Sequence, residues 1–361
     1  MVDFDALEAA GIANARDRAG LIEYLDGLGF TADDMLAAER RGRLFGLAGD
    51  VLQWSGPPHY SLREGAERLG VPVEDLAHAW ALLGLTAADA ERPALSEADL
   101  EGLSAWVALR AVVGDDAALG LLRVLGTTMA RLAEAGATVI RVGQPDIVIS
   151  HTGDELTTAR AYRTVAEFIP RLAKLIDAVF RHHTISARTY FEGVIRDATA
   201  NVVCGVGFAD LTGFTALTQR LTPAELTSLL AEFNAAVSDV VHGDGGRVVK
   251  FIGDEVMWVS STPEQLAKVA VDLVGHPRAS EAGLQVRAGL GYGSVLAVGG
   301  DYFGTAVNLA ARLVAAAAPG QILASSDVRD ELSDWQAVAQ DPLILKGFDS
   351  PVTAYDLHPP R

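Results

Sequence analysis

Residues 207–215 read Gly-Phe-Ala-Asp-Leu-Thr-Gly-Phe-Thr, and 44 positions after Asp210 begins the end of a second motif, Lys-Phe-Ile-Gly-Asp-Glu over 250–255. Each stretch closes an apolar run with a carboxylate, Asp210 or Asp254, set against a glycine-containing turn. Two such carboxylates are what a pair of hard divalent cations, Mg²⁺ or Mn²⁺, needs to clamp a polyphosphate, with the backbone carbonyl of Leu211 as a further oxygen ligand. Thr212, Gly213, Phe214 and Thr215 turn strand into helix, and amides at a helix N-terminus suit phosphate oxygens. A third stretch, Asp301-Tyr-Phe-Gly-Thr-Ala-Val-Asn308-Leu-Ala-Ala-Arg312, supplies an acid, an amide and a guanidinium. Asn308 and Arg312 are four apart on one expected helix and so share a face.

Working outward from these motifs, β-branched runs alternate with helical patterns from Val202 onward. Strands are expected over 202–209, 246–252, 255–260, 284–291, 294–299 and 320–324, with helices over 213–238, 262–274 and 304–316. The β-α-β-β-α-β order is ferredoxin-like, which predicts an α+β, palm-type domain over 199–361. Its hairpin turn at Gly253-Asp254 is expected to hold Asp254 close to Asp210, at strand ends where open α/β sheets place ligands. Residues 1–180 read as a mostly α-helical domain, with apolar residues recurring at three and four, as in Ala118, Leu121, Leu122, Leu125, Met129 and Leu132. The stretch 138–150 has mixed period, and 156–181 is a long amphipathic pattern that Pro170 kinks or divides. A linker over 181–198 opens on His182 and His183.

The 361-residue chain suits two domains. Its net charge of −18 is shared by both halves, which disfavours nucleic acid and anionic membrane surfaces as partners. No apolar run approaches the roughly 18–20 residues that span a bilayer. The start, Met-Val-Asp-Phe-Asp, lacks a basic signal-peptide region, so a cytoplasmic location is expected. The single cysteine, Cys204, fits a reducing compartment and reads as a strand-core thiol.

Taken together, the three motifs resemble the catalytic core of class III nucleotidyl cyclases, and residues 199–357 are similar to that domain throughout. With its helical amino-terminal half, the chain resembles soluble two-domain actinobacterial adenylyl cyclases. The resemblance implies formation of 3′,5′-cyclic AMP and pyrophosphate from ATP. Asp210 and Asp254 would hold the two metal ions, Lys250 and Asp301 would read the base, Asn308 would orient the ribose, and Arg312 would stabilise charge at the transferred phosphoryl. Arg287 and Lys346 sit where the family has phosphate-contacting bases. Lys250 with Asp301 also matches adenine on chemical grounds, because N1 accepts and the 6-amino group donates, whereas guanine reverses both. In homodimeric members one subunit supplies the metal-binding aspartates, and the other supplies lysine, aspartate, asparagine and arginine. One copy holding all six implies a homodimer with sites at the interface.

Alternatives remain within and outside this class. The runner-up enzyme is a diguanylate- or guanylyl-cyclase-type nucleotidyl cyclase, since Gly-Asp-Glu at a hairpin also marks diguanylate cyclases. Lys250 and Asp301 argue against guanine, and the doubled glycine of the diguanylate family is missing from Ile-Gly-Asp-Glu-Val. Residues 61–100 resemble the helix-turn-helix of MerR-type regulators, with Gly70 at the turn. The would-be recognition helix 73–83 carries Glu74, Asp75 and His78 but no lysine or arginine, so it would repel a phosphate backbone. The helical half is expected to regulate, reading a small-molecule or proton effector. His182 and His183, at the entry to the linker, are the candidate proton sensors.

Overall fold

The computed structural model describes residues 2–86, 89–192 and 201–360, which fall into two compact units, Met1–His182 and His183–Arg361. The first unit is helical and holds two cores. One gathers Leu7, Ile12, Ile22, Leu25, Met35 and Leu44, and the other Leu62, Leu76, Leu95, Leu100 and Trp106. Within residues 61–100 two helices flank Gly70. Ser61 caps the helix Leu62–Leu69 reciprocally with Glu64, and Gly70 closes that helix at φ 68°. The helix Val73–Leu82 follows. Its Asp75 pairs with Arg110 at 2.9 Å, so this acid serves the fold of the unit.

Two ambiguous stretches resolve cleanly. Of 138–150, the first part ends the helix Asp115–Gly143, and a 3₁₀ turn Pro145–Ile147 follows. The pattern over 156–181 is two helices, Glu155–Ala166 and Ile169–Glu192. Pro170 lies in the first turn of the second, where a missing N–H leaves no helical bond unmade. The expected linker is thus helical through Glu192, and its remainder, 193–198, lies outside the described residues.

The second unit is built on one eight-stranded sheet. Its strands are β1 (Asn201–Thr212), β2 (Gly246–Ile252), β3 (Glu255–Ser260), β4 (Gln285–Val298), β5 (Asp301–Phe303), β6 (Ile322–Ser325), β7 (Gln336–Ala339) and β8 (Ala354–His358). They lie in the order β2-β3-β1-β4-β6-β8-β7, with β5 paired to β4. The antiparallel quartet β2-β3-β1-β4 is the ferredoxin-like core. Strand alternation divides its side chains between two layers. On one face Ala209, Leu211, Val256 and Trp258 pack with the helices Pro223–Gly243 and Pro263–Val274. On the other, Val206, Phe208, Met257 and Val259 pack with Ala306, Ala310 and Val314 of the helix Thr305–Ala316.

Two expectations need correction. The helix expected over 213–238 is two helices, Phe214–Thr218 and Pro223–Gly243. The break has a local cause: Thr222 caps the second helix with Glu225, and Pro223 opens it. The strands expected at 284–291 and 294–299 are one strand, because β4 pairs with β1 without interruption from Thr212↔Gln285 to Asn201↔Leu296.

Glycines set two close approaches. A Cβ on Gly207 would lie 2.2 Å from the indole of fully buried Trp258. On β4, a Cβ on Gly289 would lie 2.2 Å from the amide nitrogen of Val314 and 2.3 Å from the carbonyl of Ala310. The missing side chain lets the helix Thr305–Ala316 rest directly on β4.

Candidate active site

The carboxylates of the first two motifs meet at one end of the sheet. Asp210, near the end of β1, stands opposite Glu255 on β3 and Arg287 on β4. Asp254 occupies the β2–β3 turn beside Gly253, whose φ of 66° makes the tight reversal possible. Burial raises the Asp254 carboxyl above the ordinary range; its own backbone amide lowers it, and the Asp210 charge raises it further. Glu255 is pushed up to about 7 by burial, then by Asp210 and Asp254. The Arg287 charge lowers both carboxyls in part, and a dication placed among these acids would act in the same direction. Among the described residues no group of three or more His, Cys, Asp or Glu forms a complete metal cage. Asp210 and Asp254 therefore suit ions whose remaining ligands are substrate oxygens and water, the usual pattern for Mg²⁺ on phosphates.

Arg287 is placed differently from the other expected phosphate contacts. Its Nε and Nη2 donate to Oδ2 of Asp210 at 3.0 and 2.6 Å, and its Nη1 donates to the carbonyls of Ala315 and Ala317. Thr212 donates its hydroxyl to the Gln285 carbonyl at 2.9 Å. Gly213 takes φ 89° and precedes Phe214, which is buried. The helix that follows has five residues, so its dipole is short, and the side chain of Thr215 lies outside what the structure describes. The Leu211 side chain is buried in the opposite layer.

Lys250 and Asp301 are brought together. They form an ion pair, and the second oxygen of Asp301 accepts from the amide of Tyr302 at 2.8 Å. Lys250 shares a register row with Met257 on β3, whereas Asp301 follows the far end of β4. Their contact brings the start of β5 beside β2, and residues of both strands line one cavity. Asn308 and Arg312 stand on the exposed side of the helix Thr305–Ala316, whose Ala306, Val307, Ala310, Leu313 and Val314 are buried. They line an open cavity of about 500 Å³ together with Lys346, and Arg312 Nε donates to the Lys346 carbonyl at 3.1 Å.

The motifs thus gather into three groups on the catalytic unit. Asp210, Asp254 and Arg287 form one, joined by Glu255, which the sequence reading passed over. Its place directly after Asp254 and its strand position were the available signals. Lys250 and Asp301 form a second, and Asn308, Arg312 and Lys346 a third. His182 and His183 are exposed on the helix Ile169–Glu192, where one unit gives way to the other.

A ferredoxin-like sheet that carries paired acids at one end, and an amide and a guanidinium on an adjoining helix, defines a nucleotidyl-transfer class of enzyme. The sequence profile described as "Adenylate and Guanylate cyclase catalytic domain" matches residues 197–359. An uncharacterized protein of Mycobacterium tuberculosis (strain ATCC 25618 / H37Rv) is 68% identical over 357 residues, covering 99% of this chain and 94% of that protein. The adenylate cyclase of Streptomyces coelicolor is 32% identical over 279 residues, covering 76% of this chain and 71% of its own length. A protein named pH-sensitive adenylate cyclase, from Mycobacterium tuberculosis (strain CDC 1551 / Oshkosh), is 28% identical over 337 residues, covering 91% and 82%. The chain belongs to the adenylate and guanylate cyclase family, and it is a class III cyclase with a helical amino-terminal region. Among the described residues no helix is long and apolar enough to cross a membrane.

Proposed function

We propose that the chain is a cytoplasmic adenylyl cyclase that converts ATP to 3′,5′-cyclic AMP and pyrophosphate as a homodimer. The observation that carries the base assignment is the contact between Lys250 and Asp301. A donor and an acceptor side by side match the N1 and 6-amino edge of adenine. Guanine would leave both groups facing their own kind, at a cost of about 1–3 kcal/mol for each unpaired group.

Two Mg²⁺ or Mn²⁺ ions on Asp210 and Asp254, with the Leu211 carbonyl, would acidify the ribose 3′-hydroxyl and offset phosphate charge. The chain's own groups do the rest. Lys250 and Asp301 fix the purine, and Asn308 holds the ribose so that its 3′-oxygen faces the α-phosphorus. Arg312 and Lys346 meet the charge that grows on the phosphoryl oxygens and the departing pyrophosphate. The amides from Thr212 to Thr215 face the remaining phosphate oxygens, while Arg287, whose donors are held by Asp210 and the Ala315 and Ala317 carbonyls, steadies Asp210.

The dimer follows from the division of labour in the family, where aspartates and base-reading residues of one site come from different subunits. A two-fold axis then gives two equivalent sites. We infer further that the helical unit regulates turnover, with protons or a small molecule as input. The relative named as pH-sensitive and the position of His182 and His183 at the junction of the units support a proton.

Incubation with ATP and Mn²⁺ tests the reading directly. Cyclic AMP and pyrophosphate should form in equal amounts. Asp210→Ala or Asp254→Ala should each lower the rate by about 10²–10³, the scale of one lost preorganised electrostatic contact. Full activity in either variant with excess metal would remove the metal assignment. Regulation is checked by pH profiles of the full chain and of residues 199–361 at matched dimer concentration, where identical profiles would leave no regulatory role.

A further inference from the structure

Arg287 divides its donors between Asp210 and the end of the helix Thr305–Ala316. Nε and Nη2 hold Asp210, while Nη1 donates to the carbonyls of Ala315 and Ala317 at 3.1 and 3.2 Å. Those carbonyls close the helix Thr305–Ala316, and the last acceptors of a helix have no partner within it. A guanidinium there satisfies them and sits favourably at the negative end of the helix dipole. The helix has no basic residue in its own last turn, so β4 supplies the cation that its sequence lacks. Asn308 and Arg312 stand on this helix, Arg312 about one turn before the capped end.

We propose that Arg287 is a positioning residue that makes the end of the Asn308–Arg312 helix respond to what occupies Asp210. The inference rests on the reading of Asp210 as a metal ligand. Oδ2 of Asp210 accepts both N–H groups that Arg287 turns toward it. A dication on that oxygen competes for the same lone pairs and repels the guanidinium. Arg287 then loses the ion pair that fixes it in its capping pose, and the helix end loosens. In a dimer with shared sites, Asp210 and Arg312 of one chain serve opposite sites. One side chain would therefore couple metal loading in one site to the transition-state contact in the other, in both directions.

The test is amide hydrogen exchange over residues 313–321 of the full-length protein in chelator, with thermal unfolding checked for every variant. Arg287→Gln, Asp210→Asn and addition of Mn²⁺ to the wild type should each speed exchange there by about two- to five-fold, the range set by one cation at a helix C-terminus. Arg287→Lys keeps the charge but cannot span both partners, so it should behave as Arg287→Gln does. Because both lesions act through one contact, the double variant Asp210→Asn/Arg287→Gln should exchange no faster than Arg287→Gln alone. Wild-type exchange in Asp210→Asn, or additive effects in the double variant, would overturn the coupling. If Asp210→Asn speeds exchange while Mn²⁺ does not, the coupling stands and the metal assignment of Asp210 falls.

Discussion

Replacing Gly289 with alanine adds one methyl group where the helix Thr305–Ala316 rests on β4. The new Cβ would meet the Val314 nitrogen at 2.2 Å and the Ala310 carbonyl at 2.3 Å. Both are backbone atoms, so no side chain can swing aside. Ordinary contact begins near 3.5 Å, so the helix must retreat by about 1 Å. Ala310 and Val314 bracket Arg312, which moves with them. Overpacking of this kind costs about 1–3 kcal/mol of stability, and a displacement near 1 Å at a group that stabilises a transition state can cost on the order of 10²-fold in rate. The assay pairs thermal unfolding with cyclic AMP formation at saturating ATP and Mn²⁺. We expect a lowered midpoint and a kcat reduced by about 10²-fold in protein that remains folded at the assay temperature. Wild-type midpoint and wild-type kcat together would refute the close seating of this helix and its role in aiming Arg312.

Complementation tests the shared sites: Asp210→Ala and Lys250→Ala, each inactive alone, should regain roughly a quarter of wild-type activity when mixed 1:1, because half the dimers are mixed and each of these has one intact site. No recovery after proven subunit exchange would mean that each chain completes its own site. Lys250→Glu with Asp301→Cys should depress ATP turnover far more than it lowers the unfolding midpoint and should narrow the ATP-over-GTP preference, measured as the ratio of kcat/KM values. An unchanged ratio would remove the base-reading roles. Cys204 is buried, and burial pushes its thiol up to about 12. The reactive thiolate is therefore scarce until the pH nears that value, and maleimide should label the native protein at pH 8 far more slowly than the protein in denaturant. Equal rates would show that the β1 core opens freely.

Much of this was legible because chemistry and geometry coincide in short stretches. Lys-Phe-Ile-Gly-Asp-Glu contains a strand, the left-handed glycine that ends it and the acid on the turn, so a single reading located β2, the hairpin and Asp254. Phase was harder. The helix after Gly213 was read as continuous because its apolar spacing runs on through 219–222, and periodicity does not register a capping threonine followed by proline. The break expected between 291 and 294 is overridden by the continuous pairing of β4 with β1. The two-sided grip of Arg287 was not legible, and the closeness of Glu255 to Asp210 was signalled only by its place after Asp254. Both depend on which residues stand across from Asp210, and that register belongs to strands far apart in sequence. The ion pair of Lys250 with Asp301 joins residues 51 positions apart on different strands, which no local pattern encodes.

The contact between Gly207 and Trp258 ties two positions together across 51 residues of chain. With the indole within 2.2 Å of where a methyl would stand, no side chain fits at 207 while tryptophan occupies 258. Nor does a smaller residue at 258 come free, because it opens a void beneath the strand that carries Asp210. Drift at either position alone is therefore barred. In descendants of this chain the two should change as a pair, a larger residue at 207 accompanied by a smaller one at 258, and a lineage that has made the exchange will find the way back equally narrow.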